Sequence, residues 1–316
     1  MNEAIQPIVI IGSMNDPHVS AIQSRLESLG EKPYILDFQH FPNKIKISLD
    51  ENAEAIDIDG KKVLPACVYI RNLGQGLPNT RETISEQHNL RNPIVAYREQ
   101  SDFIMSLIYR WEEVGVPMYN PPSTRHRVTK PFQLALLHKA GLPVPETLWS
   151  NDADQVRQFS TGRRVAYKPI TGGASTKELV ENDLTAQRLN RLSTAPVTFQ
   201  TLLPGDDIRV YVVNSQIAAS YRIVTKSLDF RQNEERVESI ELSEDVYNQC
   251  IKAAKTIGLR FTGIDLKADE DGKLNFLELN PSPMFLGFDT LAGTNLLDTL
   301  SQTLLSHTRL DQIRSI

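Results

Sequence analysis

Gly263-Ile264-Asp265-Leu266-Lys267 and, across Asp269-Glu270-Asp271-Gly272, Leu274-Asn275-Phe276-Leu277-Glu278-Leu279-Asn280 read as two strands joined by a tight turn. Alternate strand residues share a face, so Glu278 and Asn280 point one way and the turn brings Asp265 alongside them. Three hard oxygen donors then converge, the set magnesium takes when substrate phosphates and water complete its octahedron. A solvated polar strand face would carry the same residue types. The alternation with Leu277 and Leu279, and the stop at Pro281, favour the metal reading.

Working upstream, a helix from Ser243 to Ile257 ends at Gly258, and past Pro204-Gly205 the strands Ile208 to Val213 and Ile217 to Ile223 form a hairpin. Asp207 and Arg209 share a face at the start of the first strand, Arg222 ends the antiparallel return, and Arg231 and Asn233 follow in Asp229-Phe230-Arg231-Gln232-Asn233. A single arginine is usually a surface residue or a carboxylate partner. Three that precede a carboxylate cluster fit a site where cations and magnesium stabilise a transferring phosphoryl group. Farther back, Val165-Ala166-Tyr167-Lys168 is a strand headed into Thr171-Gly172-Gly173-Ala174-Ser175-Thr176. Glycines let backbone N–H groups approach phosphates and a strand-end lysine can reach the same oxygens, although an ordinary hairpin turn has the same composition. The loop is not the Gly-x-x-x-x-Gly-Lys-Ser/Thr sequence, and Gly74-Gln75-Gly76 lacks the third glycine of a dinucleotide fingerprint.

The amino-terminal part has a different grammar. Pro7-Ile8-Val9-Ile10-Ile11-Gly12 is an apolar strand, Asp16-Pro17 opens a helix with Val19, Ile22, Leu26 and Leu29 on one face, and Tyr34-Ile35-Leu36 completes a β-α-β unit. Asn120-Pro121-Pro122 breaks the pattern, after which Lys130 to Ala140 reads as a helix stopped by Gly141. These breaks divide the chain into an α/β domain at 1–120, a small α+β module at 121–203 and a carboxylate-bearing α+β domain at 204–316. Composition agrees with a globular chain of two or three packed subdomains: 316 residues, 40% hydrophobic and 23% charged. Net charge is −5, all of it in residues 1–120, where 11 Lys and Arg face 16 Asp and Glu, so no nucleic-acid footprint exists. No apolar run reaches a membrane span, the start lacks a basic signal-peptide region, and Cys67 and Cys250 have no metal-type spacing. A cytoplasmic protein without membrane or nucleic-acid partners is expected. The histidines, His126 and His138 among them, accompany no nucleophile motif.

In chain order, the lysine-headed helix, the Lys168 strand with its glycine loop, Phe199-Gln200-Thr201-Leu202-Leu203, Asp207-x-Arg209, Arg231-x-Asn233, Asp265 and Glu278-x-Asn280 resemble the ATP-grasp superfamily. The resemblance is to its RimK-like branch of ribosomal-protein glutamate ligases and related peptide-modifying ligases, and covers residues from about 117 to 305. Asp16-Pro17-His18 and Tyr69-Ile70-Arg71-Asn72 also look like the graspetide macrocyclases, which crosslink precursor peptides. The resemblance implies an ATP-grasp fold, with an amino-terminal α/β domain, a central lid and a carboxy-terminal α+β domain. It also implies that Lys130 and Lys168 contact ATP phosphates beneath a loop carrying Gly172 and Gly173, that the Gln200, Thr201, Leu202 and Leu203 segment bonds adenine through its backbone, and that Asp207 holds the ribose. Arg222, Arg231 and Asn233 would face the transferred phosphoryl group, and Asp265, Glu278 and Asn280 would hold two magnesium ions, with manganese as a substitute. Two departures stand out: Thr201 where the branch often has glutamate, and Glu234-Glu235-Arg236-Val237 where it has a basic, glycine-containing stretch.

Chemistry completes the expectation. A carboxylate is a poor electrophile, so ATP converts it to an acyl phosphate that an amine or hydroxyl then attacks, while a closing loop excludes water. Arg209 and Arg222 are the candidates for orienting the carboxylate and stabilising the oxyanion. The readings are an ADP-forming ligase joining a small-molecule carboxylate to an amino-acid or peptide acceptor, a macrocyclase of the same chemistry acting on a ribosomal precursor peptide, and a non-catalytic nucleotide-binding module. A homo-oligomer is compatible with each. The acidic first domain and Glu234-Glu235 predict an acceptor that is neutral or basic outside its reacting carboxylate.

Overall fold

The computed structural model describes residues 6–53, 55–73, 91–171, 175–225 and 234–314. It resolves into two compact units, residues 1–123 with 297–316, and residues 124–296. No helix among the described residues is long and apolar enough to cross a membrane.

In the first unit, β1 (Ile8–Ile11), β2 (Tyr34–Leu36), β5 (Cys67–Ile70) and β6 (Met118–Tyr119) form a parallel sheet in the order β2-β1-β5-β6, with β3 (Ile47–Leu49) and β4 (Ala55–Ile58) as a separate hairpin. Both faces of a parallel sheet are covered, which is why Ile8 to Ile11 is unbroken apolar sequence with every residue buried. Helix α1 (Pro17–Ser28) starts where the Asp16 carboxylate accepts from the His18 N–H, with Pro17 in its first turn, and buries Val19, Ile22 and Leu26. Helix α2 (Arg91–Glu113) adds Ile104, Leu107, Ile108 and Trp111 to the same core as β1 and β5. The final residues of the chain return to this unit: Tyr119 and His307 bond at 2.9 Å, and Arg25 pairs with Asp298 at 2.6 Å.

The second unit carries two antiparallel sheets. β7 (Thr147–Ser150), β8 (Val165–Lys168), β9 (Lys177–Glu178) and β10 (Val197–Thr201) pair in the order β7-β10-β8-β9 over a small core of Val156, Val165, Leu189, Leu192 and Phe199. The larger sheet runs β13-β12-β11-β14-β15, built from β11 (Asp207–Val213), β12 (Gln216–Thr225), β13 (Glu234–Ser239), β14 (Phe261–Ala268) and β15 (Leu274–Asn280). One face, formed by Ile208, Val210, Val212, Ile264, Leu266, Phe276 and Leu279, packs on Leu134 and Leu137 of α3 (Lys130–Lys139). The same face packs on Cys250, Ala253, Ala254 and Ile257 of helix Glu244–Ile257. Gly258 ends that helix in the left-handed conformation that a residue with a Cβ rarely adopts. The strand β13 has no counterpart in the sequence reading, because Glu234-Glu235-Arg236-Val237 lacks an apolar alternation.

Gly205 stands at the crossing from β10 into β11, its N–H donating to the Ala268 carbonyl at 3.0 Å. A Cβ there would sit 2.6 Å from the Ala268 Cβ and 2.8 Å from its carbonyl oxygen, and backbone cannot swing aside as a side chain can. Gly205→Ala should therefore destabilise the second unit by about 2 kcal/mol, read as a fall in melting temperature of roughly 4–8 °C, whereas Gly272→Ala, in open space, should cost only the left-handed strain of its own backbone.

Candidate active site on the five-stranded sheet

The face of the larger sheet turned away from that core sets the charged Asp207, Arg209, Asp265 and Lys267 beside the buried Tyr211, Tyr221 and Ile223, and register explains how. Arg209 lies directly opposite Asp265, and Asp265 directly opposite Glu278, so the three form a row across β11, β14 and β15, with Asn280 one step on, opposite Gly263. Strict alternation from the buried Phe276 would place Glu278 on the core face. The pairing slips between Asp265 and Leu266, so Leu277 is the extra residue of a β-bulge that re-aims Glu278 and Asn280 while leaving Leu279 in the core.

Two carboxylates opposed on neighbouring strands repel, by about 4 kcal/mol for unit charges 4 Å apart at an effective dielectric constant near 20. Each is met by a cation. Arg209 forks onto Asp265, Nε to Oδ1 at 2.7 Å and Nη2 to Oδ2 at 2.8 Å, while its guanidinium stacks over Phe288 at 5.2 Å. Lys130 Nζ lies 2.9 Å from Glu278 Oε2. Burial pushes the Asp265 carboxyl above its usual range, Arg209 pulls it back, Glu278 adds to the rise and Lys168 opposes it. Among the described residues no three His, Cys, Asp or Glu side chains gather as a metal cage. Two carboxylates and an amide are instead a partial donor set, which fits a magnesium ion that brings phosphate and water ligands with it.

Lys130 is the first residue of α3, and what aims it is Gln133, one helical turn on and fully buried. β15 is an edge strand, so Leu279 would present unpaired backbone groups. The Gln133 side chain supplies both partners, donating to the Leu279 carbonyl at 2.9 Å and accepting from its N–H at 2.8 Å. One amide thus locks α3 to the residue between Glu278 and Asn280. The sequence reading missed Gln133; its signal was a polar residue on a helix face otherwise made of Leu134 and Leu137.

On the smaller sheet, Lys168 and Gln200 share a face, with Lys168 Nζ 3.4 Å from Gln200 Oε1 and Gln200 Nε2 donating to Thr147 Oγ1 at 2.9 Å. A cavity of about 640 Å³ opens beside Lys168, walled by Tyr167, Pro169, Ile170, Lys177 and Val197. At the end of β10 the Thr201 N–H donates to the Glu146 carbonyl and the Leu202 N–H to that of Arg164, each at 2.9 Å, with Leu202 and Leu203 buried. Asp207 is paired with Lys267 at 2.6 Å. Arg222 stands opposite Ile208, on the face parity of the core, and reaches Asp206 at 2.9 Å, so the structure does not gather it with Arg209 and Asp265. Gly172, Gly173, Arg231 and Asn233 lie outside the described residues.

Residues 129–304 match the family model of the RimK-like ATP-grasp domain. Among solved structures, the ATP-grasp ligase PsnB in complex with minimal precursor, Mg and ADP is 45% identical with a TM-score of 0.89, over 98% of this chain and 99% of that one. The tetrahydromethanopterin:alpha-L-glutamate ligase of Methanocaldococcus jannaschii is 26% identical over 210 residues, 61% of this chain and 72% of that protein. A probable alpha-L-glutamate ligase of Shewanella pealeana is 28% identical over 214 residues, 63% of this chain and 46% of its own length, so this chain spans about half of that relative.

Gln133→Leu keeps the volume but orphans two buried backbone groups at about 1–3 kcal/mol each, so a loss of about 2–6 kcal/mol in a urea melt is expected. Gln133→Leu with an unchanged melt would show that the clamp contributes nothing.

Proposed function

The chain belongs to the RimK-like ATP-grasp family of ADP-forming ligases, and from that premise we propose that it activates a carboxylate of a ribosomally made precursor peptide and joins it to a nucleophilic side chain of the same peptide. The observation that carries the choice of substrate is the likeness to PsnB, which spans almost the whole of both chains and not merely the ATP-grasp core. The glutamate ligases match about three fifths of this chain. Attachment of a free amino acid to an acceptor is the second reading, favoured by those same relatives.

A carboxylate oxygen attacks the γ-phosphorus of ATP, the bond to the bridging oxygen breaks and ADP leaves. The resulting acyl phosphate is attacked at its carbonyl carbon by an amine or hydroxyl, which gives up a proton as phosphate departs. Each amide or ester therefore consumes one ATP and yields one ADP and one phosphate. Asp265, Glu278 and Asn280 would hold magnesium, two ions in our reading, with manganese able to replace it; the metal supplies charge neutralisation on the transferring phosphoryl group. Lys130 and Lys168 reach the phosphates, the Gln200 to Leu203 segment borders adenine, and Asp207 serves the ribose by exchanging its bond to Lys267. Arg209 holds Asp265 in place beside the reacting carboxylate. Arg231 and Asn233 are assigned to the phosphoryl group and Gly172 and Gly173 to its cover, whereas Arg222, turned to the opposite face and paired with Asp206, takes no part in the transfer.

With ATP, magnesium and a precursor peptide, mass spectrometry should find the peptide lighter by one water per bond formed, with ADP and phosphate released in equal amounts. A peptide made heavier by an amino acid would transfer the assignment to the second reading, and AMP with pyrophosphate would overturn the acyl-phosphate route. Glu278→Gln removes a charged metal ligand at constant volume and should abolish most turnover, by 100-fold or more on the order seen for such electrostatic contacts, with an unaltered melting curve.

A further inference from the structure

We infer that Lys130 is an exchangeable counter-ion: it neutralises Glu278 while the site holds no nucleotide and moves to the phosphates when nucleotide and metal arrive together. This rests on the ATP-dependent reading above and goes beyond it, since it makes the coupling between metal and nucleotide a property of one ion pair.

The two carboxylates of the row are paired in different ways. Asp265 is held by a bidentate guanidinium whose side chain is 9% exposed and stacked on Phe288. Glu278 is held by a single ammonium contact, with the lysine side chain 21% and the glutamate 33% exposed. A planar fork packed against a ring is slow to leave, whereas an ammonium on a flexible four-carbon stem turns readily to another anion. The root of that stem is tethered beside Glu278: Lys130 begins α3, and Gln133 on the next turn is bonded at both ends of its amide to Leu279, the neighbour of Glu278. Rotation of its own side chain is enough for Lys130 to change partner. Lys168 acts on Asp265 through space while its Nζ lies 3.4 Å from Gln200 Oε1, so the ion pair with Glu278 that can exchange is the one made by Lys130.

Charge arithmetic gives the consequence. Arg209 and Lys130 each neutralise one carboxylate of the row and Lys168 adds positive potential at Asp265, so a divalent cation that arrives alone meets no net negative charge and must compete with Lys130 for Glu278. A nucleotide offers Lys130 new anions, releases Glu278 and adds phosphate oxygens to the donor set. Metal and nucleotide then bind with positive coupling, which by linkage is the same for either order of addition.

Manganese, visible by electron paramagnetic resonance, tests this on the full chain without turnover. In the nucleotide-free protein, Lys130→Met and Lys130→Gln should each bind manganese about fivefold more tightly than wild type, the equivalent of about 1 kcal/mol for a partly exposed pair. Both variants should bind ADP more weakly, and the tightening of manganese by ADP should shrink by at least the same fivefold. The glutamine variant, polar and of similar length, guards against a folding loss in the methionine one, and circular dichroism checks both. Unchanged or weaker manganese affinity in the folded, nucleotide-free variants would overturn the exchange. Wild-type protein that binds neither ADP nor manganese would instead remove the nucleotide reading beneath it.

Discussion

Two like charges set on facing strands are the constraint around which the second unit is arranged. Asp265 and Glu278 stand directly opposite one another on β14 and β15, in a partly buried place where their repulsion is not screened away. Arg209 and Lys130 balance them, and neither cation arrives by accident. Arg209 comes from the strand on the other side of Asp265, and Lys130 from the first turn of a helix whose apolar face is committed to the same sheet. A fold that gathers cations around paired carboxylates already has the charge distribution that a triphosphate and its metal require.

Backbone irregularity and one side-chain amide give the row its precision. The bulge at Leu277 turns Glu278 out of the core, and Gln133 closes the edge of β15 one residue later. Bulges and satisfied edges are ordinary devices for terminating a sheet. Here they flank Glu278 and Asn280, so the same contacts that stabilise the sheet edge also fix where those two side chains stand.

The first unit follows a different logic. Its sheet is parallel and covered on both faces, and at the carboxyl ends of β1 and β5 the carboxylate of Asp16 ties Arg71 at 2.8 Å to His18 at 3.1 Å. Burial is the main cause that lowers the proton affinity of His18. Asp16 also caps α1, so the three side chains fasten the end of β5 to the start of that helix.

The sequence by itself determined what depends on local order. The period-two alternation around Glu278 and Asn280, the apolar run Ile8 to Ile11, the Asp16-Pro17 helix start and the Gly258 stop are each written within a few residues, where steric preference and side-chain period act directly. The succession of short motifs from Lys130 and Lys168 through Asp207-x-Arg209 to Glu278-x-Asn280 pointed to the family, because their order along the chain is itself written in the sequence. Only the tertiary structure decided which charges meet. Arg209 and Asp265 are 56 residues apart, and Gln133 and Leu279 are 146 apart, distances over which no periodicity speaks. Arg209 and Arg222 look alike as hairpin arginines, yet strand register sends them to opposite faces, one onto a carboxylate of the site and the other onto Asp206 at the periphery. Register and the single extra residue at Leu277 are set by the packing of the whole sheet on its helices, because a one-residue slip exchanges every side chain between core and site.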